Sequence, residues 1–227
     1  MTSNPNFFYS YIHLSKRDEI AASAQKYRNL RLNALKASPS SFASTHEIES
    51  LFTDADWENI ITVPNREIFI CAATPLNHNG TASGESEWIG QVTMRGPLSR
   101  EDFTLPEEAG QPPQKPDEEE ERWQMLSLFA LPDHRGLGLG AKLCRNALNY
   151  LLSYRSSPRG IQVRLMIKPE NHVTIKLYER LGFVLAGRAT LVEALTANGD
   201  EGLLPVDLSS TKWSDRSGLI MNTRLSR

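Results

Sequence analysis

The chain has few cysteines, almost no net charge and no long apolar run, and each shortage removes a class of protein. Two cysteines in 227 residues, Cys71 and Cys144, make no disulfide framework, so a reducing compartment is expected. A net charge of −2 and a pI near 6.2 give no general attraction for nucleic acid or an anionic membrane. No apolar stretch approaches the roughly 18 residues of a membrane span, and the start MTSNPNFF lacks a charged-then-apolar leader pattern. A cytoplasmic protein is expected. The five histidines are scattered, without HExxH or cysteine pairs, so no metal site is expected. No GxSxG elbow marks a hydrolase, and basic residues form no stripe interleaved with aromatics, which argues against nucleic-acid binding.

One further absence is local and more telling. No Asp or Glu occurs between His134 and Pro169, while that span carries Arg135, Lys142, Arg145, Arg155, Arg159, Arg164 and Lys168. At its head lies a strand-like run, Leu126 to Leu131, halted at Pro132. Then comes Arg135-Gly136-Leu137-Gly138-Leu139-Gly140, followed by Leu139, Leu143, Ala147 and Leu151 at helical spacing. Strand, glycine turn and amphipathic helix make a cradle for phosphate: glycines let an anion reach the backbone, and the helix start offers unpaired N–H groups. Gly140-Ala141-Lys142-Leu143 does not complete a Walker loop. A dinucleotide fingerprint would need GxGxxG and an acid about 20 positions on, and the acid-free surround denies it.

The residues Arg135-Gly136-x-Gly138-x-Gly140 resemble the acyl-CoA signature [RQ]-x-x-G-x-[GA] of the GNAT superfamily of N-acetyltransferases. A second stretch, Asn171-x-x-Thr174-x-x-Leu177-Tyr178-Glu179-x-x-Gly182-Phe183, is similar to the family's N-x-x-A-x-x-x-Y-x-x-x-G-F, with Thr174 in place of the small Ala. The resemblance covers about residues 7 to 225, most securely 122 to 190. It implies an α+β domain with a mixed, mostly antiparallel sheet of six or seven strands around a central βαβ unit that binds acetyl-CoA. One domain over residues 1–227 is expected.

In chain order, Phe7 to Leu14 reads as a first strand and Arg17 to Ala37 as a helix. Asp54 to Ile61 reads as a short capped helix with Trp57 in the core. Glu67 to Ala73 and Ser86 to Met94 read as an antiparallel pair. Residues 96–121 are rich in Pro, Gly and acids, and predict a mobile loop. Ile161 to Ile167 reads as a fifth strand, parallel to the fourth because a helix joins them. Asn171 caps a helix with Val173, Leu177 and Leu181 on its apolar side; Phe183 to Leu195 and Ser217 to Leu225 read as the last strands.

The resemblance further implies roles. Backbone N–H groups of Gly136, Leu137, Gly138, Leu139, Gly140 and Ala141 would hold the cofactor pyrophosphate, helped by Arg135. Leu128, Phe129 and Ala130 would pair with the pantetheine arm and polarise the thioester carbonyl. Asn171 would touch the cofactor, and Tyr178 stands where the family places the acid that protonates the leaving thiolate. Phe42 and Glu47, in a segment similar to the family's first helices, are candidates to touch the acceptor, though packing explains them as well. The family's usual base, a Glu near the start of the fourth strand, falls here on Gln124; Glu121 is the nearest carboxylate, and the base stays unassigned. The expected partners are acetyl-CoA and an amine acceptor, small molecule or peptide, with no nucleic acid or membrane; a homodimer is one assembly admitted. A non-catalytic acyl-CoA-binding sensor or scaffold is the rival reading, and a nucleotide-binding domain a third.

Overall fold

The computed structural model describes residues 6–42 and 44–227, with the side chain of Ser40 left aside; residues 1–5, the start of the leader reading, lie outside it. In order the elements are β1 (Phe7–His13), α1 (Ile20–Ala37), α2 (His46–Glu49), α3 (Asp54–Thr62), β2 (Arg66–Pro75), β3 (Glu87–Leu98), α4 (Arg100–Phe103), β4 (Glu120–Ala130), α5 (Leu139–Tyr154), β5 (Gly160–Ile167), α6 (His172–Glu179), β6 (Val184–Ala189), α7 (Leu191–Asn198), α8 (Thr211–Ser214) and β7 (Gly218–Ser226). The strands form one seven-stranded mixed sheet in the order β1-β2-β3-β4-β5-β7-β6. β4 and β5 are parallel, as a strand–helix–strand crossover requires. The β1–β2, β5–β7 and β6–β7 pairs are antiparallel. The chain divides into two compact units, residues 1–93 with 127–147 and residues 94–126 with 148–227; β3, β4 and α5 run from one to the other.

The first unit is built around an apolar cluster that includes Ala24, Tyr27, Leu30 and Ala34 of α1, Trp57 and Ile61 of α3, Ile68 and Ile70 of β2, and Phe129 of β4. Helical spacing puts the α1 residues on one face, and a capping box of Thr53 with Asp56 starts α3, an arrangement that stabilises a helix by about 1 kcal/mol. Trp57 is fully buried, in the core where the sequence puts it.

In the second unit, strand alternation sorts two unlike faces. Trp123, Val163 and Met221 point one way into an apolar layer; Arg122, Gln124, Gln162, Arg164 and Asn222 point the other way and are buried too. The cover over that polar face is the segment 96–121, the stretch in which the composition predicts a mobile loop. It carries the end of β3, α4 and a 3-10 turn at Glu107–Ala109. Phe103 and Ala109 are buried, and Gly187 of β6 lets the turn come so close that a Cβ would sit 2.1 Å from Ala109 O. Composition shows no apolar period because the segment is held by polar side chains of the strands beneath it.

Two expectations are corrected. Strand does not persist to Leu195: a capping box of Thr190 with Glu193 starts α7 at Leu191. Val173 is 83% exposed, so the buried contact of α6 is made by Tyr178 and not by an edge through Val173.

Candidate active site

In the first unit, β4 ends at Ala130 and a 3-10 turn, Pro132–His134, leads into the glycines. Tyr9 Oη lies 3.0 Å from His134 Nδ1, and the rings of Phe7 and Tyr9 meet the imidazole edge-on at 5.1 and 5.8 Å, which fixes the entry to the turn. Gly136 and Gly138 then take φ of +79° and +75°, a left-handed backbone natural to glycine. A Cβ at either would meet nothing within 4 Å, so the space in front of the turn is open. The first bond into the helix runs from Lys142 N–H to Gly138 O at 3.1 Å. Leu139, Gly140 and Ala141 therefore occupy the first turn, where N–H groups have no intrahelical acceptor and the helix dipole is positive. This is a nest suited to a phosphate.

The helix behind the nest folds as its spacing predicts. Leu139, Leu143, Ala147 and Leu151 are buried, while Lys142, Arg145, Asn146 and Asn149 face water. Cys144 is buried on the same helix, and burial pushes its thiol up to about 12.

Arg135 is exposed, yet its guanidinium is engaged. Nε donates to Ala130 O at 2.9 Å, Nη2 to Ser38 Oγ at 3.1 Å, and Cζ lies 5.3 Å from the centre of the Phe129 ring. The end of β4 and the head of the cradle are thus brought together, with Leu128 and Ala130 part-exposed and Phe129 buried. Ser127 just before them has φ of +56°, which breaks the strand's alternation. Phe42 packs on Phe129 at 5.7 Å and lies under Arg31 at 4.5 Å, and Arg31 grips Glu49 through two bonds of 2.8 and 2.6 Å. Phe42 is therefore a packing residue here, while Glu47 is exposed on α2.

In the second unit, Asn171 caps α6, its side-chain oxygen accepting from Thr174 N–H at 3.4 Å. Tyr178 follows two turns later, 6% exposed, its ring 5.5 Å from that of Phe183. Gly182, with φ of +88°, lets Phe183 N–H return to Tyr178 O at 3.0 Å.

Neither position weighed for the base presents a free carboxylate. Glu121 is fully buried among Arg155, Arg227 and Trp123 Nε1. Gln124 accepts from Arg164 Nε at 2.8 Å and donates to Asn198 Oδ1 at 3.2 Å. Among the described residues no group of three or more His, Cys, Asp or Glu is placed to hold a metal ion, and no helix is long and apolar enough to cross a membrane.

Sequence reasoning passed over Arg122 and counted Arg164 only among the basic residues after the glycine turn, whereas both anchor the 96–121 segment. Their only signal was a polar residue at every second place along β4 and β5, a pattern that ordinarily marks a face open to water.

Comparison with known proteins places these features. The model of the acetyltransferase (GNAT) family matches residues 103–183, the span that holds the glycine turn, Asn171 and Tyr178. No curated protein matches the sequence. An acetyltransferase of the GNAT family from Streptococcus pneumoniae is 12% identical, with 96% of this chain and 100% of that one covered at a TM-score of 0.56. Arabidopsis thaliana NAA60, in complex with acetyl-CoA, is 15% identical, with 96% and 98% covered at 0.53. A domain from Methanocaldococcus jannaschii is 12% identical, with 97% and 100% covered at 0.54. At such identities the likeness is one of fold: the chain has the fold of these acetyltransferases, and over residues 103–183 it is similar to the GNAT family.

Proposed function

We propose that this protein is an N-acetyltransferase that moves the acetyl group of acetyl-CoA to a primary amine, by direct attack within a ternary complex. The observation that carries the reading is the open nest at Gly136–Ala141, two left-handed glycines leading into an unpaired helix start. It is supported by the family match and by a fold-relative that binds acetyl-CoA. In this reading the N–H groups of Gly136 to Ala141 take the pyrophosphate. Leu128, Phe129 and Ala130 take the pantetheine arm, with one N–H polarising the thioester carbonyl. Arg135 and Asn171 add contacts to the cofactor. The neutral amine attacks the thioester carbon to give a tetrahedral intermediate, whose C–S bond then breaks; the amine nitrogen's proton passes to solvent water, and Tyr178 gives its proton to the departing sulfur and is reprotonated from solvent. The acceptor is a small amine or a peptide, and the compartment is the cytoplasm.

Thermal stabilisation tests the cradle, with acetyl-CoA and CoA set against ATP and NAD. A ligand bound only by the folded form adds about 2.7 kcal/mol at a hundredfold excess over Kd. The expected result is a shift with the CoA species alone; no shift with them overturns the reading. CoA release with a panel of amines then decides between an enzyme and a non-catalytic acyl-CoA-binding module, because both bind the cofactor and only the enzyme turns it over.

A further inference from the structure

The nest of the first unit is held only at its ends. Among the described residues, no N–H from Gly136 to Ala141 finds an acceptor within the chain, and bonding resumes where Lys142 N–H reaches Gly138 O. Gly136 and Gly138 leave open space where a Cβ would stand, so nothing packs against the turn at those two points. Glycine also has more conformational freedom to lose than any other residue. Such donors converge on a phosphate only if the chain enters the turn in one direction, and that direction is set before Gly136.

The residue that sets it is His134. Its N–H closes the 3-10 turn on Leu131 O at 3.0 Å, and Arg135 N–H follows on Pro132 O at 3.1 Å. The imidazole is 7% exposed. Its one side-chain hydrogen bond among the described residues is with Tyr9 Oη, 3.0 Å from Nδ1, and the Phe7 and Tyr9 rings meet it edge-on. Tyr9 stands on β1, in register with Ala73 of β2, so the entry to the nest is tied to the sheet. Burial, and then the neighbouring Cys71 thiol, raise the Tyr9 hydroxyl above its ordinary value, which keeps its proton in place for this bond.

We propose that Tyr9 is a positioning residue for the cofactor pyrophosphate: through His134 it fixes the direction in which the N–H groups of the nest point. The inference rests on the acetyl-CoA reading of that nest and adds to it a residue far off in sequence. Without the hydroxyl the turn is ordered only when the cofactor arrives, and that ordering is subtracted from affinity. The acyl-transfer step, once the cofactor is seated, is left as it was.

The test takes the full chain as parent, Tyr9→Phe, His134→Leu and the double variant, with the Kd of CoA from calorimetry and steady-state kinetics beside it. Tyr9→Phe should raise the Kd of CoA and the KM for acetyl-CoA about tenfold, the worth of one buried hydrogen bond, with kcat within about twofold. His134→Leu should do the same, and the double variant should be no weaker than the weaker single one, because the pair acts as a unit. His134→Asn, whose amide stands in for Nδ1, should recover most of the loss. S-acetylpantetheine, which has the thioester arm without the pyrophosphate, should keep its kcat/KM in Tyr9→Phe. An unchanged Kd in Tyr9→Phe, losses that add in the double variant, or equal losses with both acyl donors overturn the positioning role; if His134→Leu does not fold, Tyr9→Phe decides alone. A parent that binds no CoA overturns the acetyl-CoA reading itself, and this role with it.

Discussion

Arg227 Nη2 lies 2.9 Å from Glu121 Oε1, and both side chains are withdrawn from water, at 7% and 0% exposure. Arg155 takes the other carboxylate oxygen and Trp123 Nε1 shares the first, while Arg227 Nη2 also reaches Leu151 O at 2.8 Å. The carboxylate nearest in sequence to the expected base position is thus a structural tie between β4, the end of α5 and β7. Removing one partner of a buried ion pair costs about 3–5 kcal/mol, because the remaining charges stay buried. Glu121→Gln should therefore lower unfolding free energy by about 3 kcal/mol in urea titration. Acetyl-transfer turnover per folded molecule at low temperature should stay within about twofold of the parent. A turnover loss of a hundredfold in a stably folded variant would return Glu121 to the reaction.

Much of the architecture was legible because it rests on local rules. The period of Leu139, Leu143, Ala147 and Leu151, the stop at Pro132 and the glycine spacing each survive unchanged in the structure. So do the parallel β4–β5 pair and the Asn171 cap. What escaped was non-local. The segment 96–121 has no apolar pattern of its own; it is ordered by Arg122, which reaches Asp117 and Lys115 O, and by Arg164, which reaches Phe103 O and Gln111. Nothing in a sequence window shows that a strand's polar alternation will be covered. The helix α7 was missed for a simpler reason: Leu191-Val192-Glu193-Ala194-Leu195 is apolar enough to continue a strand, and the Thr190–Glu193 cap decides otherwise.

The glycines of the nest and of β6 should fail in different ways. At Gly138 a Cβ has open space, so Gly138→Ala costs only the left-handed backbone, about 1–2 kcal/mol, and tilts the N–H groups of the turn. Acetyl-CoA binding should weaken about tenfold by calorimetry, with the melting temperature falling by no more than about 6 °C. At Gly187 a Cβ would strike Ala109 O at 2.1 Å. Gly187→Ala should lift the Glu107–Ala109 turn from β6, and hydrogen exchange should rise across residues 100–117 while the affinity of the nest is kept.

Both thiols should be silent in the native protein. Burial raises Cys71 to about 11 and Cys144 to about 12, from an ordinary value of 9.0. A thiol reagent at pH 8 should modify neither until denaturant is added. The linkage has a definite sign: above pH 9 the unfolded chain loses these protons while the folded chain keeps them, so stability falls as pH rises. The slope is about 1.4 kcal/mol per pH unit for each thiol, until Cys71 ionises near 11 and Cys144 near 12. Urea titrations from pH 8 to 10.5 should show this fall, and it should be shallower in Cys144→Ala than in the parent.

Tyr178 gives the sharpest test of the chemistry. Its ring is buried beside Phe183 and its position is fixed by the tight return through Gly182, so Tyr178→Phe keeps the packing and removes one hydroxyl. If that hydroxyl protonates the departing sulfur, turnover should fall by about one to three orders of magnitude. The affinity for acetyl-CoA should change by less than about threefold, because the loss lies in the transition state rather than in binding. The pH profile should change too, losing the limb that reports the acid. An equal loss of affinity and turnover would indicate a binding contact, and an unaltered kcat would make Tyr178 a packing residue of α6.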